Sequence, residues 1–111
     1  MNHHKADFKI KRQKLLGHLP TRAKHKKWDG KWRVVIFDVW ESTREKRDSL
    51  RYEIKNFGFI QLQRSVWIYP YDCAEFIELL KTDLSFGKNI RYMVVEKLDH
   101  DEKLRKYFKL N

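Results

Sequence analysis

Residues 28–71 decide the fold of this chain: they begin WDGKWRVVIFDV (28–39) and end FGFIQLQRSVWIYPY (57–71). The run over 32–39 is almost continuously apolar and rich in β-branched side chains, which predicts a central strand buried on much of both faces. Asp38 lies at its end. Burying a carboxylate there is unfavourable unless it has a binding partner or a functional role. Asp38 is therefore the first candidate for a functional residue.

A charged helix and a tight hairpin follow the first strand. The periodicity predicts a helix over about 43–57, and Gly58 is a natural C-terminal stop. Two strands, 59–63 and 66–69, are predicted on either side of a turn at Arg64-Ser65. This stretch therefore indicates a β-α-β-β order.

The rest of the chain adds a helix and a strand. An amphipathic pattern predicts a helix over roughly 73–84, and 90–98 is predicted to be a strand. The tail, 101–111, is expected to form a short helix or an extra strand. The order βαββαβ predicts an α+β, ferredoxin-like fold, with a four-stranded antiparallel sheet and two helices on one face.

Length and composition limit the class of protein. With 111 residues, 41% of them hydrophobic, the chain is expected to form one domain with a single core. No apolar run approaches the roughly 20 residues of a membrane helix, and no apolar signal-peptide core is present. Its single cysteine, Cys73, cannot form an internal disulfide and is expected to be a small core residue. These features favour a cytoplasmic location.

Positive charge is concentrated at the N-terminus. The formal net charge is +10, and residues 1–28 hold nine Lys or Arg against one acid, Asp7. This divides the chain into a basic N-terminal arm, 1–28, and a nearly neutral domain, 29–111. Such an arm indicates a polyanion partner, most often nucleic acid. A solubilising or tag-like tail is the alternative, because His3 and His4 are adjacent.

Basic side chains also recur along the first predicted helix. They are spaced three or four residues apart, which places them on one face. Contact with phosphates and a merely solvated face explain this spacing equally well. The residues predicted to contact nucleic acid are Arg44, Arg47 and Arg51 on this helix, with Lys24, Lys26 and Lys27 from the arm. Lys55 continues the same face.

Asp38 suits a hard divalent cation. A carboxylate at a strand end can hold Mg²⁺ or Mn²⁺ within a water-rich shell, and the ion can bridge to a phosphate. One carboxylate is a poor site, but two copies related by a dimer axis could share an ion. Alternatively, Asp38 caps the following loop or pairs with Arg44 or Arg47.

Two motifs in this stretch resemble a known family. They are the triplet Phe37-Asp38-Val39 at the end of the first strand and the hairpin segment 63–67, QRSVW. Both are similar to motifs of the CRISPR-associated Cas2 endonucleases, which have a ferredoxin-like βαββαβ fold. The likeness covers about residues 30–98.

Two other segments give a closer resemblance. WDGKW (28–32) and QLQRSVW (61–67) are similar to the middle domain of PaaX-type transcriptional repressors. In those proteins a winged-helix domain precedes the module and another domain follows. This chain has only the basic arm in front and about a dozen residues behind, which favours the CRISPR interpretation.

The resemblance implies specific functions. Cas2-type proteins form homodimers, act as metal-dependent nucleases on RNA or DNA, and bridge duplex DNA beside the integrase during spacer acquisition. We therefore expect a homodimer that binds duplex DNA or RNA next to an integrase subunit, with possible hydrolysis by Asp38 and Mg²⁺. A PaaX-like regulatory module without enzymatic activity is the alternative.

Overall fold

The computed structural model describes residues 27–37, 44–82 and 90–110 and confirms the predicted α+β class. Four strands form one antiparallel sheet in the order β2-β3-β1-β4. They are β1 (Trp32–Phe37), β2 (Ile60–Gln63), β3 (Val66–Tyr69) and β4 (Ile90–Val95). The helices among these residues are α1 (Arg44–Phe57), α2 (Ala74–Thr82) and α3 (Glu102–Tyr107).

The described residues fall into two compact units. The larger contains 28–37, 44–72 and 91–110, with β1, α1, β2, β3, α3 and nearly all of β4. The smaller contains Lys27, residues 73–82 and Ile90. Within the smaller unit, one side of α2 is buried, as the amphipathic pattern predicted, and Cys73 is buried.

The predicted hairpin is confirmed. In the register of the sheet, Trp67 on β3 lies between Val35 on β1 and Gln61 on β2. The pairing of β2 with β3 shifts its register between Gln61 and Gln63, as it does at a β-bulge. Such a bulge increases local twist and redirects side chains near the turn.

The C-terminal region differs from the prediction in one boundary. Strand β4 ends at Val95, three residues before the predicted end at Leu98, and the tail forms α3 rather than another strand. Leu98, Leu104 and Phe108 pack against a cluster centred on Trp32. Leu104 and Phe108 are four residues apart, so a helix places both on the same buried side.

The end of α1 is fixed by its backbone. Gly58 N–H donates to the Lys55 carbonyl (3.1 Å), and Phe59 N–H donates to the Ile54 carbonyl (3.2 Å). These two bonds form a Schellman motif. Gly58 has φ +126, and a Cβ there would lie 3.1 Å from the Tyr69 ring. The predicted glycine stop is therefore confirmed.

A buried arginine anchors the start of β1. Arg33 donates to both carboxylate oxygens of Asp29, Nη1 to Oδ1 at 2.9 Å and Nη2 to Oδ2 at 2.8 Å. Arg33 Nη1 also donates to the carbonyls of Lys31 and Pro70, both at 3.0 Å. The hydrogen bond from Arg33 is the main reason the pKa of Asp29 is lowered to about 2. We call these contacts the Asp29–Arg33 clamp.

A second contact ties α3 to the same strand. Trp32 Nε1 donates to Asp101 Oδ2 at 3.0 Å, and Arg105 Nε donates to Asp101 Oδ1 at 3.0 Å. The Trp32 bond is the largest cause of the lowered pKa of Asp101. The start of β1 is therefore joined to Pro70 through Arg33 and to Asp101, just before α3, through Trp32.

Candidate nucleic-acid interface

The predicted basic residues of α1 do share one face. Arg44, Arg47, Arg51 and Lys55 are three or four residues apart along a continuous helix, and we call them the basic stripe. The buried positions of α1 lie on a different side and include Leu50 and Ile54. The Arg44 side chain is 86% exposed. Lys55 is exposed as well, whereas Arg47 and Arg51 are half-buried. The stripe is thus partly open to a partner, while buried residues fix its helix from another side.

One acidic side chain interrupts the basic stripe. Asp48 lies 4.0 Å from Arg44 Nε and 3.9 Å from Arg51 Nη1. These are long ion pairs between exposed groups, which typically contribute between zero and about 1 kcal/mol. Asp48 therefore leaves both arginines available to other anions, although it competes with them.

A cleft of about 360 Å³ adjoins the stripe. Its lining comes from α1, β2 and β3 and consists of Asp48, Arg51, Tyr52, Lys55, Gln61 and Trp67. Two members of the basic stripe therefore line it. Tyr52 is 60% exposed, so much of its side chain is open to solvent beside the cleft.

Two hydrogen-bond donors at this cleft lack acceptors. Within the part of the chain that the structure describes, Arg51 Nε and Trp67 Nε1 are buried without a hydrogen-bond partner. A buried donor without an acceptor costs roughly 1–3 kcal/mol. Both groups can only donate, so the ligand that would satisfy them must offer acceptor oxygens or nitrogens.

The structure describes only some of the predicted site residues. Lys27 is exposed and belongs to the smaller unit, whereas the stripe belongs to the larger one. Asp38, Lys24 and Lys26 lie outside the described residues. The roles predicted for these four residues remain predictions.

The search for metal ligands and membrane segments gave two further findings. Over residues 27–37, 44–82 and 90–110, no group of three or more His, Cys, Asp or Glu side chains is arranged to hold a metal ion. No helix in those ranges is long and apolar enough to cross a bilayer.

Sequence reasoning missed two features of this surface. The counter-charge of Asp48 was visible in principle, because it lies four residues after Arg44 and three before Arg51. Trp67 is 5% exposed, as an aromatic residue in an apolar strand is expected to be. Its missing acceptor carries no sequence signal, since it depends on how α1 lies beside β3.

Comparison with protein families gives one match. The model of the PaaX protein central Cas2-like domain matches residues 25–106. Comparisons with curated proteins and with solved structures gave no match.

Proposed function

Because the chain belongs to the family of PaaX central Cas2-like domains, we propose that it is a regulatory module that binds the backbone of duplex DNA. The observation that carries this proposal is the exposed basic stripe of α1. Regulation rests on the family match, and the contact with DNA rests on the stripe. Together they favour the PaaX-like alternative over the CRISPR interpretation.

The chemistry of the stripe supports backbone contact. Four cations along one face of α1 outnumber the single Asp48 carboxylate, so the stripe keeps an excess of positive charge. Long cationic side chains that reach phosphates fix position on the duplex and carry little sequence information. Binding of this kind weakens steeply as salt rises, because each contact releases counterions.

The exposed edge of the sheet supports a homodimer. Within the described sheet, β4 is an edge strand, and Met93 and Val94 on it are exposed, Val94 by 50%. An edge strand presents unpaired N–H and C=O groups and readily pairs with a second chain. A dimer would present two basic stripes to one duplex.

The test is the salt dependence of duplex binding by the Arg44→Gln/Arg47→Gln variant. Each lost phosphate contact should reduce the slope of log K against log[salt] by about 1, uniformly across sequences. Lys103→Gln/Lys106→Gln removes two exposed positive charges on α3 and is the matched control. An unchanged slope in the Arg44/Arg47 variant would overturn the assignment of the stripe.

A metal-dependent nuclease is the second candidate. It is favoured by the Phe37-Asp38-Val39 motif, since β1 ends at Phe37 and Asp38 follows directly. Labelled RNA and duplex DNA incubated with Mg²⁺, with Mn²⁺ and with EDTA would distinguish the two functions. Metal-dependent cleavage that is lost in Asp38→Ala would identify an enzyme. Duplex binding without cleavage, unchanged in Asp38→Ala, is expected of the regulatory module.

A further inference from the structure

The cleft beside α1 has the chemistry of an oxygen-rich anion site. We propose that it binds the phosphate of a nucleotide, with the phosphate held by Arg51 and Lys55 and the base against Tyr52. This goes beyond backbone contact by the stripe, because it assigns two of the stripe residues, Arg51 and Lys55, to a cleft that takes a single nucleotide. All six lining residues belong to the larger compact unit.

The donor set is the first argument. Arg51 and Lys55 supply positive charge, and the buried Arg51 Nε and Trp67 Nε1 supply donors that no described residue satisfies. A phosphate presents several acceptor oxygens and a negative charge, so it complements both features. Trp67 is fixed by its strand pairing and by its stacking on Phe37, so its donor is preorganised.

The freedom of Arg51 is the second argument. Its Nε and the indole nitrogen are both shielded from water in this conformation, so side chains at the cleft must shift before ligand oxygens reach them. That side chain is 41% exposed, and its ion pair with Asp48 is 3.9 Å long. Such a loose pair restrains the guanidinium weakly.

Size and surface are the third argument. A volume of about 360 Å³ lies at the small end of ligand pockets, enough for one nucleotide. The exposed ring of Tyr52 offers a face on which any base can stack. One hydrogen bond of the Gln61 amide is already made within the protein, because its Nε2 donates to the Arg64 carbonyl at 3.0 Å.

The indole N–H signals of the protein provide a specific readout. The ¹H–¹⁵N spectrum of the full chain is followed during titration with inorganic phosphate, a nucleoside, a nucleoside monophosphate and a 5′-phosphorylated single strand. Trp67→Phe identifies the Trp67 signal. Trp28 and Trp32 are internal controls, because their indole N–H groups already donate to Lys31 O and Asp101 Oδ2.

The expected result is a saturable shift of the Trp67 signal with the monophosphate, while the Trp28 and Trp32 signals stay in place. The nucleoside should give no shift, and inorganic phosphate should bind at least tenfold more weakly. An equal response to the phosphorylated strand would identify strand ends as a source, whereas a response to the monophosphate alone would identify the free nucleotide. A stationary Trp67 signal, or equal affinity for inorganic phosphate, would overturn the proposal.

Substitutions distinguish the cleft from Arg44 and Arg47, the stripe residues that lie outside it. Arg51→Gln should weaken monophosphate binding at least tenfold. Arg44→Gln lies outside the cleft and should weaken duplex binding while leaving the monophosphate titration unchanged. If Arg44→Gln abolishes duplex binding and monophosphate binding together, both ligands use one continuous surface and the proposed nucleotide site is wrong. If duplex binding fails and the pocket titrates, only the proposed duplex function is wrong.

Discussion

The larger unit contains two kinds of aspartate–arginine pair, and their geometries differ sharply. Asp29 and Arg33 make two short, parallel hydrogen bonds, and the Arg33 side chain is only 9% exposed. Asp48 meets Arg44 and Arg51 at 4.0 and 3.9 Å, with all three side chains exposed to solvent. Sequence spacing does not explain the difference, because Asp29 with Arg33 and Arg44 with Asp48 are both four residues apart.

Burial and additional partners account for the contrast. Arg33 Nη1 also donates to the carbonyls of Lys31 and Pro70, so three groups hold the guanidinium, although its Nε has no acceptor among the described residues. A bidentate pair in a partly dry site is both strong and geometrically fixed. An exposed pair exchanges freely with water and salt. The first pair therefore maintains the fold, and the second leaves its arginines available for a ligand.

The largest expected effect is on stability. Asp29→Ala should lower the free energy of unfolding by about 2–3 kcal/mol, because it leaves the buried Arg33 charge without its carboxylate. Asp48→Ala, the matched change in the exposed pair, should stay within about 0.5 kcal/mol of the parent. Urea denaturation with unchanged m-values measures both. Equal losses would contradict the distinction between the two pairs.

Lowering the pH should destabilise the protein through the Asp29–Arg33 clamp. The pKa of Asp29 is lowered from 3.8 to about 2 by its hydrogen bond with Arg33. Since this folded-state pKa lies below the unfolded value, the stabilisation is complete above pH 4 and is lost as the pH falls towards 2. Because Asp29 is half-exposed, screening reduces the effect below that of a buried group.

Denaturation at several pH values between 2 and 5 tests this dependence. The slope of unfolding free energy against pH should be shallower in Asp29→Asn than in the parent. Asp101→Asn should also flatten it, because the bond from Trp32 lowers the pKa of Asp101. A slope unaffected by Asp29→Asn would show that the clamp carries no proton linkage.

The smallest effect is expected at the exposed pair. Asp48→Asn should raise duplex affinity about two- to fivefold, which corresponds to removing an interaction of about 0.4–1 kcal/mol with the stripe. Glu102→Gln removes one exposed negative charge on α3 and controls for net charge. A gain of the same size in Glu102→Gln would indicate a general charge effect rather than local competition.

Features that depend on neighbouring residues could be predicted from the sequence, whereas features that depend on residues far apart in the chain could not. Helix α1 and the hairpin were predicted nearly to the residue, because Gly58 and the Arg64-Ser65 turn are local signals. The basic stripe followed from spacing alone. The tail was left open between helix and strand, since the choice depends on packing of Leu104 and Phe108 against Trp32, far away in the chain.

The clamp shows the same limit within four residues. Asp29 and Arg33 have the spacing of a common surface ion pair. The apolar run over 32–39 predicts a buried strand around Arg33, but nothing local identifies all of its partners. Its burial depends on β3, which delivers the Pro70 carbonyl from 37 residues away. The lack of an acceptor for Trp67 Nε1 likewise depends on how distant segments of the larger unit pack together. Long-range placement therefore decides which polar side chains serve the fold and which remain available.

The hydrogen bond between Trp32 and Asp101 spans 69 residues and has a consequence for local unfolding. Helix α3 has six residues, too few to be stable alone in water. Its amide protons should therefore be protected from exchange only while the segment is docked on β1. Hydrogen exchange in this last helix thus reports the integrity of the strand near the start of the domain, and Trp32→Phe should make those amides exchange faster before the sheet amides change.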